Sequence, residues 1–108
     1  MPAFRGKETF GVLQTPGRAD KIFVSGDGGA TSMMPKHSPG FDINTLTHVE
    51  GHAAATMRYL GINRATLYIN NPEICEKCIK YLPKMLPPNA ILEVVLPNGR
   101  RIPFKGLP

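Results

Sequence analysis

Two helix-start signals on either side of one buried strand restrict this chain to a small set of folds. From His48 to Leu60, Val49, Ala53, Met57 and Leu60 recur at four, four and three, which lines one helix face with apolar groups. Thr47 is placed to cap that helix at its start and Gly61 to stop it. Thr66-Leu67-Tyr68-Ile69 then reads as a buried strand. Asn70-Asn71-Pro72 signals a second helix, running from about Glu73 to Met85, loosened by Pro83 and ended by Pro87-Pro88. A strongly apolar strand, Ala90 to Leu96, follows. A strand, a crossover helix and a strand connect right-handedly and leave the two strands parallel.

Hairpins flank this unit. Thr9 to Leu13 and Ile22 to Val24 are joined by the turn cluster Thr15-Pro16-Gly17-Arg18. At the other end, Asn98-Gly99 suits a primed two-residue turn, with Arg101 to Phe104 returning antiparallel. The expected class is α/β: a mixed five-stranded sheet flanked by helices, in the order ββαβαββ. Residues 26–44 break the pattern with Gly28-Gly29, Pro35, Pro39-Gly40 and the pair Met33-Met34, and read as a long ordered loop or a linker. At 108 residues the chain is one domain, 1–108, expected to be a monomer. No apolar run approaches the roughly 20 residues of a membrane helix, so no membrane partner is expected. The N-terminus lacks the apolar core of a signal peptide, which fits a cytosolic protein or a piece of a larger secreted one. A net charge of +5 favours an anionic partner such as nucleic acid, or a plainly basic surface.

The chemistry concentrates at the two helix starts, where one imidazole (His48), one carboxylate (Glu50) and two thiols (Cys75 and Cys78) stand. Two cysteines spaced Cys-x-x-Cys are a redox pair or half a metal site. An imidazole and two thiolates are three ligands, the number a catalytic zinc uses beside a water. Glu50 is then a carboxylate next to the ion, or only the acid of a Thr47-x-x-Glu50 capping box. His48 and Glu50 lie two apart, about 200° around a helix, so they converge only at the helix end. His48 and His52 do not make a metalloprotease motif, because Val49 stands where its glutamate belongs. His52 and His37 are read as packing or solvent-facing residues. A redox protein would leave His48 and Glu50 without a role. A non-catalytic zinc module would call for a fourth protein ligand, and His52 sits a turn past His48.

His-x-Glu at one helix start, a strand, then Pro and Cys-x-x-Cys at the next form the signature of zinc nucleobase deaminases. With His48-Val49-Glu50-Gly51, Met57-Arg58, Gly61-Ile62, Asn70-Asn71-Pro72-Glu73 and Leu86-Pro87-Pro88-Asn89-Ala90, the chain resembles the bacterial DNA cytosine deaminase toxins of the DddA type. The resemblance is close over residues 47–97 and weaker at the N-terminal hairpin. It implies a cytidine-deaminase-like fold with an antiparallel C-terminal hairpin, and Zn2+ held by His48, Cys75 and Cys78. It implies Glu50 as the catalytic acid and base, and DNA as the substrate, with cytosine flipped out of the duplex or single-stranded. Val49, Phe10 and Asn71 are candidate substrate contacts, and Tyr68 a further aromatic for stacking or core packing. Lys77, Lys80, Lys84, Arg100, Arg101 and Lys105 are candidate phosphate contacts. The same resemblance implies a C-terminal toxin domain of a larger polymorphic toxin, secreted or delivered into rival cells and met there by an immunity protein. Two departures from the plain signature stand out: Glu73-Ile74 between Pro72 and Cys75, and the charged pair Glu76-Lys77 between the cysteines.

Overall fold

The computed structural model describes residues 9–24, 48–74 and 76–108, the side chains of 76–78 excepted. The loop of residues 26–44, with Met33, Met34 and His37, and the capping residue Thr47 lie outside that set. The elements are β1 (Phe10–Gln14), β2 (Lys21–Val24), α1 (Val49–Leu60), β3 (Arg64–Ile69), α2 (Glu76–Met85), β4 (Ile91–Val95) and β5 (Arg101–Lys105). The strands form one sheet in the order β2-β1-β3-β4-β5. β3 and β4 pair in parallel across the α2 crossover, whereas β1–β2, β1–β3 and β4–β5 are antiparallel. This is the mixed α/β sheet that the sequence pattern implies, and it agrees with a cytidine-deaminase-like fold. No helix of the described residues is long and apolar enough to cross a membrane.

Strand alternation divides the sheet into two faces. Leu13, Ala65, Leu67, Ile69, Leu92, Val94 and Phe104 are buried on one, against Val49, Ala53 and Met57 of α1 and Leu82 and Met85 of α2. Each of the larger side chains among them contributes on the order of 2 kcal/mol by leaving water. Tyr68 lies on the other face, in one row with Val12, Val95 and Arg101. Arg101 forms an ion pair there with Glu93, whose carboxylate raises the guanidinium above its ordinary value.

Three boundaries differ from the sequence expectation, each for a local reason. The N-cap of α1 is His48, not Thr47: its backbone is extended (φ −85, ψ 158) and its carbonyl already accepts the His52 N–H at 2.9 Å. α2 begins at Glu76, three residues later than expected, because the Asn71 carboxamide oxygen accepts the Glu73 N–H at 3.0 Å. That side-chain turn competes with the helix for residues 71–73. The β4–β5 connection is a three-residue turn rather than a primed pair: the Gly99 N–H reaches the Leu96 carbonyl and Gly99 takes φ +86. Pro97 has no N–H to pair with Arg100 across a two-residue turn, and the Leu96 N–H donates to the Arg100 carbonyl instead, at 2.9 Å.

The end of α2 is completed from outside the helix. Pro87 and Pro88 have no N–H, so the carbonyls of Pro83 and Lys84 lose their helical donors. The Leu107 N–H serves Pro83 at 3.1 Å. Arg58, in the last turn of α1, serves Lys84 at 3.3 Å, Met85 at 3.0 Å and Leu86 at 3.3 Å. Arg58→Ala is expected to destabilise the chain by about 2 kcal/mol, because three carbonyls lose a charged donor at once. Urea unfolding measures it, and Arg58→Lys, a single point of charge, should recover only part of the loss.

Candidate active site

Both helices start towards the carboxyl end of β3, the central strand of the sheet. α1 runs back along the sheet so that its first turn lies over the carboxyl end of β3. Gly11 shows this directly: it pairs with Ile69, and a Cβ built on it would stand 3.1 Å from the Val49 Cβ. β3 then runs through residues 70–74 into α2, so the second helix starts beyond the same strand end. Ligands of α/β sheets bind outside the carboxyl ends of strands, where helix N-termini gather.

His48 and Glu50 both stand at the start of α1. His48 is the extended N-cap and not a helical residue, so the 200° separation of an ideal helix does not apply to it. Glu50 stands in the first turn and is only 4% exposed, a buried acid at a helix start. Val49, between them, is fully buried and faces β1. His52 is 3% exposed and meets the Phe23 ring edge-on, centroids 5.5 Å apart, which makes it a packing residue of α1 and β2. Cys78 has its backbone in the first turn of α2, while its side chain and the whole of Cys75 lie outside the described residues. Among the described residues, no group of three His, Cys, Asp or Glu side chains is placed to hold a metal.

The remaining candidates sit at the rim. Phe10 is half-buried at the start of β1. Its N–H donates to the Asn70 carboxamide oxygen at 2.8 Å, and its carbonyl accepts the Asn70 N–H at 3.2 Å. The Asn71 carboxamide donates to the Thr9 hydroxyl at 3.2 Å and accepts from the Glu73 N–H, so both its ends hold the loop. Asn70, which sequence reasoning read only as a helix-start signal, is 93% buried and joins two strands (7% exposed). Of the basic residues, Lys80 and Lys84 are exposed on α2 and bracket the Tyr81 ring at 5.3 and 5.7 Å, whereas Arg101 is engaged with Glu93. A cleft of about 460 Å³ between the β1–β2 turn and the last turn of α1, lined by Leu13, Arg18, Lys21, Thr56 and Leu60, lies at the far end of α1 from His48 and Glu50.

The family model of SCP1.201-like deaminases matches residues 4–106. The chain belongs to the SCP1.201-like deaminase family. It is also 35% identical over 109 residues to Double-stranded DNA deaminase toxin A of Burkholderia cenocepacia (strain H111). That alignment covers 97% of this chain and 7% of the relative, so the chain spans a small part of the curated relative's length. This SCP1.201-like deaminase of the DddA type has a buried acid, Glu50, in the first turn of α1 and a histidine, His48, as that helix's extended N-cap.

Proposed function

We propose that the chain deaminates cytosine to uracil in DNA, double-stranded in the first instance, with zinc at the start of α1 and α2. The observation that supports this most is the buried Glu50 in a first turn capped by the extended His48, in a member of a deaminase family. The relative whose name specifies double-stranded DNA supports the choice of substrate.

The donor set fits a catalytic zinc. One imidazole and two thiols give three protein ligands of the borderline-soft kind that zinc takes. His48 escapes the helix end, and a thiol at a helix start is favoured as thiolate. His48, Cys75 and Cys78 would hold the ion, which supplies a water made acidic enough to attack at neutral pH. Glu50 takes the proton from the attacking water as its oxygen bonds to C4 of cytosine. Glu50 then passes a proton to N3 and assists a second onto the exocyclic amine. The C4–N bond breaks, and ammonia and uracil are left. The N-terminal amides of α1, around Val49, offer donors to the base edge, and Phe10 and Asn71 line the rim that a flipped-out base would cross. The reading extends to a delivered toxin domain, part of a larger protein and neutralised by an immunity protein.

Cytosine-bearing single- and double-stranded oligonucleotides, incubated with the chain and then cleaved at uracil, test the reaction. Cleavage of duplex is the expected result; cleavage confined to single strands would assign the single-stranded alternative. Binding without uracil would leave the zinc-stabilised nucleic-acid module. Elemental analysis is expected to find about one zinc per chain. Chelation should lower the melting temperature and added zinc restore it, since binding energy at such a site is folding energy. An identical melting curve with and without chelator would count against metal ligation.

A further inference from the structure

We infer that the entry into β1, Thr9-Phe10-Gly11, is a positioning element that sets the alignment of the two helix starts; the inference rests on the zinc deaminase reading above. Each residue touches a different part of the site's frame. Gly11 seats the first turn of α1: an added Cβ would lie 3.1 Å from the Val49 Cβ, 3.3 Å from its Cγ2 and 3.1 Å from the Leu67 Cδ1. Glycine inside a strand marks such a close approach of another element. Val49 is fully buried and sits between His48 and Glu50, so whatever moves it moves both.

Phe10 and Thr9 hold the other half. Asn70 grips the Phe10 backbone from both sides, its side-chain oxygen and its own N–H adding one rung to the β1–β3 ladder beyond Gly11 and Ile69. The Asn71 carboxamide ties Thr9 to the turn at Glu73, on the segment that leads into Cys75 and Cys78. Three consecutive residues, Thr9 and the first two of β1, therefore connect the first turn of α1 to residues 70–73, the segment that precedes Cys75 and Cys78 in the chain. Reacting groups must be held to about 0.5 Å, and a misplacement of 1 Å costs on the order of a hundredfold in rate. A methyl group at Gly11 forces a shift of a few tenths of an ångström. That corresponds to a loss of about tenfold.

The test compares Gly11→Ala and Asn70→Ala with Gly17→Ala. Gly17 lies in the β1–β2 turn with φ +72 and nothing within 4 Å of an added Cβ, so alanine there strains the backbone of the same hairpin without touching the site. Wild-type protein is first loaded with cobalt(II), whose visible spectrum reports ligand geometry, and assayed for uracil formation. Gly11→Ala and Asn70→Ala are each expected to lower kcat about tenfold with KM within about twofold, at full metal content, and to alter the cobalt(II) spectrum. Gly17→Ala should lower the melting temperature by a few degrees and leave kcat and spectrum unchanged. Wild-type kcat and spectrum in both site variants would overturn the inference. So would losses that only track the folded fraction, or failure of both variants to fold, since either result makes the role of β1 purely structural. A wild-type chain that takes up no metal and forms no uracil would instead remove the zinc deaminase reading, and this inference with it.

Discussion

Glu50→Gln is expected to abolish uracil formation, lowering kcat by about a thousandfold, while the chain stays folded and its metal content is unchanged. Proton transfer by a positioned side chain contributes about 10² to 10⁴ in rate, and here one group serves several transfers in turn. An amide neither takes nor gives a proton at neutral pH, yet it has the size of the carboxyl and can hydrogen-bond in the same space. At 4% exposure the site is too enclosed for bulk water to replace the lost base. The fold should survive, because Glu50 is not one of the residues that close the core around Leu67 and Met57. The cost in stability is the loss of a negative charge from a helix first turn, about 0.5 kcal/mol. Circular dichroism, elemental analysis and the uracil assay together separate the outcomes. Full activity in Glu50→Gln would sink the mechanism. Loss of metal as well would make Glu50 part of the ligand set.

Gly106→Ala is expected to destabilise the chain by about 3 kcal/mol or more, far from the site. A Cβ at Gly106 would stand 2.0 Å from the Pro87 carbonyl oxygen and 3.0 Å from its carbon, and backbone of this kind cannot step aside as a side chain would. The segment is also tied at both ends. The Gly106 N–H donates to Ala90 at 2.8 Å, its carbonyl accepts from Asn89 at 3.2 Å, and the next N–H, of Leu107, serves Pro83. Alanine must break these bonds, at about 1 kcal/mol each, and leave the Pro83 carbonyl without its donor. Urea unfolding measures the loss. A melting temperature equal to wild type would show that the C-terminal segment contributes nothing to the fold, contrary to its bonding.

Much of the fold around the candidate site was legible because its signals are local. The apolar repeat of α1 runs from Val49 to Leu60 within one element, and Gly61 closes it in the left-handed conformation with φ +68. The start of α1 turned on a single backbone conformation, the extended His48, which moves the cap one residue along from Thr47. The late start of α2 turned on one hydrogen bond, from the Glu73 N–H to Asn71, which a helix-start signal read from Asn70-Asn71-Pro72 does not distinguish from a cap.

The sequence by itself determined the order of elements, the faces of the helices and strands and the residues with chemistry to offer. These follow from period, turn residues and donor types, all set between near neighbours. Only the tertiary structure decided which distant groups complete one another: Arg58 on the end of α2, Gly106 under Pro87, Asn70 on Phe10, Gly11 beneath Val49. Each of those roles exists because a buried polar group needs a partner or a close approach needs room, and neither need can be assigned until the chain has brought the two places together.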